Sequence, residues 1–208
     1  MSEKDEVLQQ ISEIKSHLID KETFFPYNYN ACHVWAVIAV VMTFIMIPTY
    51  EYSIVVGTGV MFSLITIGFV VEEVLTKKIN QSYDIDDSTK RQEFIMKNFL
   101  MIALFLIVLT TVLAMSKLYV LIYLSWLFLI SLGYFSVGFI LNIKEFTKMA
   151  EFNMVMALVF LLGGAYFDLL TLKDSLFMTL TQAVVIFGLA ILPSIIARKQ
   201  QKREACSV

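Results

Sequence analysis

Ionisable and hydrogen-bonding side chains inside long apolar runs are costly to desolvate, so any chemistry in this chain starts from them. His33, with Cys32 beside it, lies near the start of one apolar run, and the adjacent carboxylates Glu72 and Glu73 lie near the end of the next. Pairing the two runs antiparallel about Glu51 puts His33 nearly level with Phe69, about one helical turn from Glu72. An imidazole beside a carboxylate forms a pH-sensitive pair or a proton relay. A metal there is a weaker reading, because one histidine and one cysteine on two helices fall short of a defined ligand set. The bland alternative places Glu72, Glu73, Lys97 and Glu151 at a membrane interface, hydrated or snorkelling.

A second polar set comprises Asp168, Thr179, Gln182 and Asn153. Counting along a helix from the turn between the last two runs places Asp168 about 7 Å in and Gln182 about 14 Å in. They read as a polar pathway with Asp168 at its outer mouth. The competing reading makes Gln182 a packing amide opposite Gly163 and Gly164, whose missing side chains let two helices approach. Gly59 and Ser63 form a further small-xxx-small packing face. Pro193 is expected to kink the last run, and Trp126 to be packed.

Catalytic equipment is sparse. Glu72-Glu73-Val74-Leu75-Thr76-Lys77 superficially resembles the Glu-Glu-x-x-x-Arg signature of intramembrane CAAX-type proteases. Those enzymes need further histidines on later helices, and His17 and His33 are the only two here. Bis-histidine haem ligation also fails, because it needs two histidines at membrane depth and only His33 qualifies. Gly-x-Ser-x-Gly, Walker and His-Glu-x-x-His motifs do not occur, nor does a Cys-x-x-Cys pair. No catalytic, cofactor or metal residue is assigned, and a non-enzymatic protein is expected.

The elements that must position these residues follow from composition. Of 208 residues, 58% are hydrophobic and only 16% charged, against about 25% charged in a soluble domain. That leaves too little polar sequence to cover a soluble fold, and it excludes a disordered chain and a nucleic-acid binder. Six runs reach the roughly 20 residues a spanning helix needs: about 31–49, 53–71, 94–115, 118–142, 150–171 and 175–197. Of the 16 Lys and Arg residues, only Lys117 and Lys173 fall on one side of these spans. The positive-inside rule therefore puts both termini in the cytoplasm. The outer turns are only a few residues long.

The expected fold is all-α: six transmembrane helices as three tight helical hairpins (31–197), preceded by a cytoplasmic segment (1–30) and followed by a basic tail (198–208). Within the first segment, Val7, Ile11, Ile14 and Leu18 form one face of a short amphipathic helix over 3–19. Phe24, Phe25, Tyr27 and Tyr29 read as an interfacial anchor, as do Tyr50, Tyr52 and Tyr119 at the other side. Residues 76–92 are polar and are expected to form the longest cytoplasmic loop.

In outline this layout resembles the permease subunits of ABC exporters, whose cytoplasmic loop contacts an ATPase, but no motif carries the likeness. The leading expectation is a transport or permeation component, a small permease or channel-like subunit, in the plasma (inner) membrane. Its partners would be the lipid bilayer and either further copies of itself or a cytoplasmic protein. The rival is a membrane-anchored scaffold or regulator that binds a cytoplasmic partner through 3–19 and 76–92. An intramembrane enzyme at His33 and Glu72 ranks third.

Overall fold

The computed structural model describes residues 27–82, 89–173 and 175–206, all of them in helices or the turns between helices. The expected amphipathic helix at 3–19 and the anchor residues Phe24 and Phe25 lie outside the described residues. The described chain forms α1 (Tyr29–Tyr52), α2 (Ile54–Gln81), α3 (Lys90–Met115), α4 (Tyr119–Ile140) and α5 (Lys144–Tyr166). It ends in one long rod made of α6 (Leu176–Ile186), a π-helical segment (Phe187–Ile191) and α7 (Leu192–Cys206). Six helices, counting this rod as one, are long and apolar enough to cross a membrane.

Helix and span differ at several ends, because hydropathy marks the apolar stretch whereas backbone hydrogen bonding marks the helix. Thus α2 continues ten residues past the expected 71, through Glu72 and Glu73 to Gln81. Thr89 starts α3 with a capping box, its hydroxyl and the Gln92 side chain each bonding the other's backbone amide. Gln92 also exchanges two amide hydrogen bonds with Asn80, at 2.8 and 2.9 Å, which ties the end of α2 to the start of α3.

Three helices stop by one device. Lys117, Asn142 and Asp168 each adopt a left-handed backbone, with φ of 57°, 53° and 55°. In each case the next amide bonds a carbonyl five residues back: Leu118 to Leu113, Ile143 to Gly138 and Leu169 to Gly164. This is the Schellman ending, which satisfies carbonyls the helix would otherwise leave bare. It ends α5 at Tyr166, five residues short of the expected span.

Packing centres on α4, the most buried of the six. Its sequence is apolar on every side, as befits a helix enclosed by others. Along α5, Tyr134 stacks on Phe146 with ring centroids 5.6 Å apart. Toward α3, the Trp126 indole donates to Thr110 Oγ1 at 2.8 Å, so Trp126 is packed as expected. The final rod lies chiefly along α1 and also touches α4. Ion pairs fasten the two ends: Lys173 to Glu51 at one, Lys199 and Arg203 to Glu145 at the other.

Two expectations about helix faces are corrected. The Gly59/Ser63 face touches no neighbour, since a Cβ built on Gly59 meets nothing within 4 Å. The close approach instead uses Gly57 and Gly68, against Tyr50 and Trp35. Tyr50 and Tyr119 are buried rather than interfacial, and only Tyr52 is exposed.

Candidate functional site

A cavity of about 70 Å³ lies among α1, α2, α3, α4 and the final rod. Trp35 and Met42 contribute from α1, Phe69 from α2, Phe99 and Ala103 from α3, Trp126 and Tyr134 from α4, and Val185 and Leu189 from the rod. Its wall is almost wholly carbon. Aromatic rings supply much of that wall because bulky side chains on converging helices cannot fill every gap without leaving their rotamers.

Two hydrogen-bonded groups flank this cavity. At one, the Trp35 indole nitrogen donates to Glu72 Oε2 at 2.7 Å. One turn further along α2, Asn28 Nδ2 donates to Thr76 Oγ1 at 3.1 Å. At the other, Gln182 Nε2 donates to the Tyr123 hydroxyl at 3.2 Å, and that hydroxyl donates to the Thr43 carbonyl at 2.7 Å. Tyr123 and Thr43 belong to the cavity wall. Gln182 therefore bridges the rod to α4 and onward to α1, and not to α5 across Gly163 and Gly164 as expected.

The predicted His33–Glu72 pair is corrected by helix phase. Contacts of α1 with α2 run in opposite order along the two helices, Asn28 with Thr76 and Tyr50 with Gly57. His33 thus stands at about the right level. Residues two apart on a helix, however, point about 200° apart, and Trp35 is the one facing α2. The indole takes Glu72, and His33, half-buried, has no hydrogen-bond or ion-pair partner among the described residues. Glu73 turns outward to Lys77 at 2.7 Å.

The second predicted set does not converge. Asp168 is exposed in the left-handed position that ends α5. Thr179 is exposed and bonds back to the Ser175 carbonyl. Asn153 is fully buried, and its Nδ2 donates to the Gly188 carbonyl in the π-helical segment at 3.0 Å. Gly163 has an open Cβ position, whereas Gly164 packs against Leu170 and Phe177. Cys32 is buried beside the Tyr27 hydroxyl, and no group of three or more metal-ligating side chains occurs among the described residues.

Reasoning on sequence alone missed Trp35, Tyr123 and Thr43. Trp35 carried a usable signal: it lies one turn from the Glu72 level, and a tryptophan taken into a membrane needs a partner for its indole N–H.

The helices define a class: six of them are long and apolar enough to cross a membrane, as in a multi-pass integral membrane protein. Beyond that class, no protein-family model, curated protein or solved structure matches the chain.

Proposed function

We propose that the protein is a non-enzymatic permeation component of a cell membrane that admits small uncharged molecules to the cavity among its helices. In this reading the chain runs as three hairpins with both termini in the cytoplasm, supported by the Lys and Arg distribution and by the short turns at Ser53 and Lys117. The observation that carries the reading is the carbon wall of the cavity, flanked by hydrogen bonds already made. An ion entering it would give up its hydration with nothing in return. An apolar cavity of roughly 150 Å³ holds the six carbons of benzene, so this one suits roughly three heavy atoms. The rival scaffold reading turns largely on 3–19, outside the described residues.

Trp35 and Trp126 are the chain's only two tryptophans, and both line the cavity. Intrinsic fluorescence therefore reports occupancy directly. In proteoliposomes, xenon is expected to quench it saturably, and stopped-flow light scattering to show accelerated entry of small alcohols and amides. Ala103→Leu fills the cavity and should reduce both signals about tenfold in a protein that still elutes as folded. Quenching and flux that match wild type in Ala103→Leu sink the reading.

A further inference from the structure

We propose that the groove between α1 and the inner half of the final rod is a binding site for one anionic phospholipid, its acyl chain along the groove and its phosphate on Arg198. This rests on the membrane reading above but not on permeation. The groove holds about 440 Å³ and is walled by Ala36, Val40 and Val41 on one side and Ala190, Ser194 and Arg198 on the other. Small side chains at Ala36, Ala190 and Ser194 keep the two helices from filling it. The groove is open along its lipid-facing side, so an acyl chain can lie in it without being enclosed. From Ala190 to Arg198 the rod rises about 12 Å, which suits the upper part of that chain.

Charge decides what occupies it. Ala190, Ser194 and Arg198 follow one another at four-residue spacing, so the guanidinium stands at the end of the same stripe that walls the groove. Its neighbours Lys199 and Arg203 are both engaged by Glu145, at 3.4 and 2.9 Å. Arg198 is exposed and has no anionic partner among the described residues. On the facing helix, Gln201 Nε2 donates to Asn30 Oδ1 at 3.0 Å. Moving three residues inward from that contact on each helix brings His33 level with Arg198. His33 lies on the α1 face that continues into Ala36 and Val37, one turn away.

An apolar groove ending in a guanidinium, with His33 at the same level on the facing helix, matches an amphiphile with an anionic head. Arginine binds phosphate through a two-pronged contact that a point charge cannot make, and basic pockets between helices at a membrane surface hold anionic head groups. Phosphatidylcholine offers the same phosphate but carries a compensating ammonium beside it, so its net attraction to the guanidinium is weaker than that of phosphatidylglycerol, whose head has no cation. A second copy of the chain would need to bring a carboxylate to the same point.

The test is native mass spectrometry of the full-length protein released from nanodiscs of equal phosphatidylglycerol and phosphatidylcholine. Wild type should retain one phosphatidylglycerol, Arg198→Gln should lose it by about tenfold, and His33→Gln by less. Ser194→Trp fills the groove without altering charge and should also abolish retention. Arg198→Lys should bind with intermediate strength. Equal retention of the two lipids overturns the proposal, as does wild-type retention in both Arg198→Gln and Ser194→Trp. A lipid-free dimer overturns it in favour of a second copy. Xenon quenching of Arg198→Gln and His33→Gln, which leave Trp35 and Trp126 the only tryptophans, should remain as in wild type, so lipid loss with intact quenching isolates the groove from the cavity.

Discussion

At the residue scale, Pro193 and Asn153 answer one another across two helices. Proline has no amide hydrogen to give, so the carbonyl that would look to it is left without a donor. Within the π-helical segment each carbonyl looks five residues ahead, as Phe187 does to Leu192. For Gly188 that partner is Pro193. The Asn153 amide takes the place of the missing donor at 3.0 Å, and the missing Gly188 side chain makes room, since a Cβ there would meet Asn153 Oδ1 at 2.6 Å. Asn153→Leu should therefore strand a buried carbonyl and cost about 1–3 kcal/mol, read as a lower midpoint in denaturant unfolding. Asn153→Asp sets a buried carboxylate against a carbonyl unless it takes up a proton at a cost near neutral pH, so it should be at least as costly. A midpoint unchanged in Asn153→Leu would show that the bond contributes nothing. Both residues stood out in the sequence. Their connection did not, because it runs through the Gly188 carbonyl, 35 positions from Asn153, where α5 and the final rod meet.

At the element scale, the apolar runs were enough to count the helices, but the contact face of each helix was not legible. Along α2 the buried positions are Gly57, Met61, Ile65, Gly68, Thr76 and Asn80, a stripe at helical spacing. Gly59 and Ser63 lie off that stripe: a Cβ on Gly59 enters open space, and the exposed Ser63 hydroxyl only bonds back to the Gly59 carbonyl of its own helix. In a helix that is apolar all round, hydropathy has no polar side to mark the outside, so two small residues two positions from the true stripe look equally suited to packing. The same loss of phase misplaced His33, whose level was right and whose face was wrong. The distinction predicts opposite outcomes for two alanine substitutions. Gly68→Ala places a methyl 2.7 Å from the Trp35 ring, which should cost about 1–3 kcal/mol through overpacking. It should also move Trp35 emission, because the indole must leave Glu72. Gly59→Ala enters open space and should be neutral or slightly stabilising, since alanine favours the helix by about 1 kcal/mol over glycine. Equal effects of the two on thermal unfolding in detergent would refute this assignment of faces.

At the scale of the whole molecule, contacts distant in sequence sort the turns into two ends. Lys173 reaches Glu51, bringing the turn before the rod beside the α1–α2 turn. Arg203 and Lys199 reach Glu145, and Gln201 reaches Asn30, bringing the end of the rod beside the starts of α5 and α1. The first end carries Lys117 and Lys173, and the second carries the remaining described Lys and Arg. So lopsided a division costs nothing to the fold, since exposed pairs contribute little to stability. Its physical consequence is insertion: positive flanks are retained on the cytoplasmic side. The proposed orientation therefore makes a definite prediction for a chain freed of its own thiols by Cys32→Ala and Cys206→Ser. In intact cells, Ser53→Cys or Leu172→Cys should react with a membrane-impermeant maleimide, while Lys148→Cys should react only after permeabilisation. Labelling in the reverse order would invert the molecule. It would also place Arg198 and its groove in the outer leaflet, so the lipid available to that site would change with the orientation.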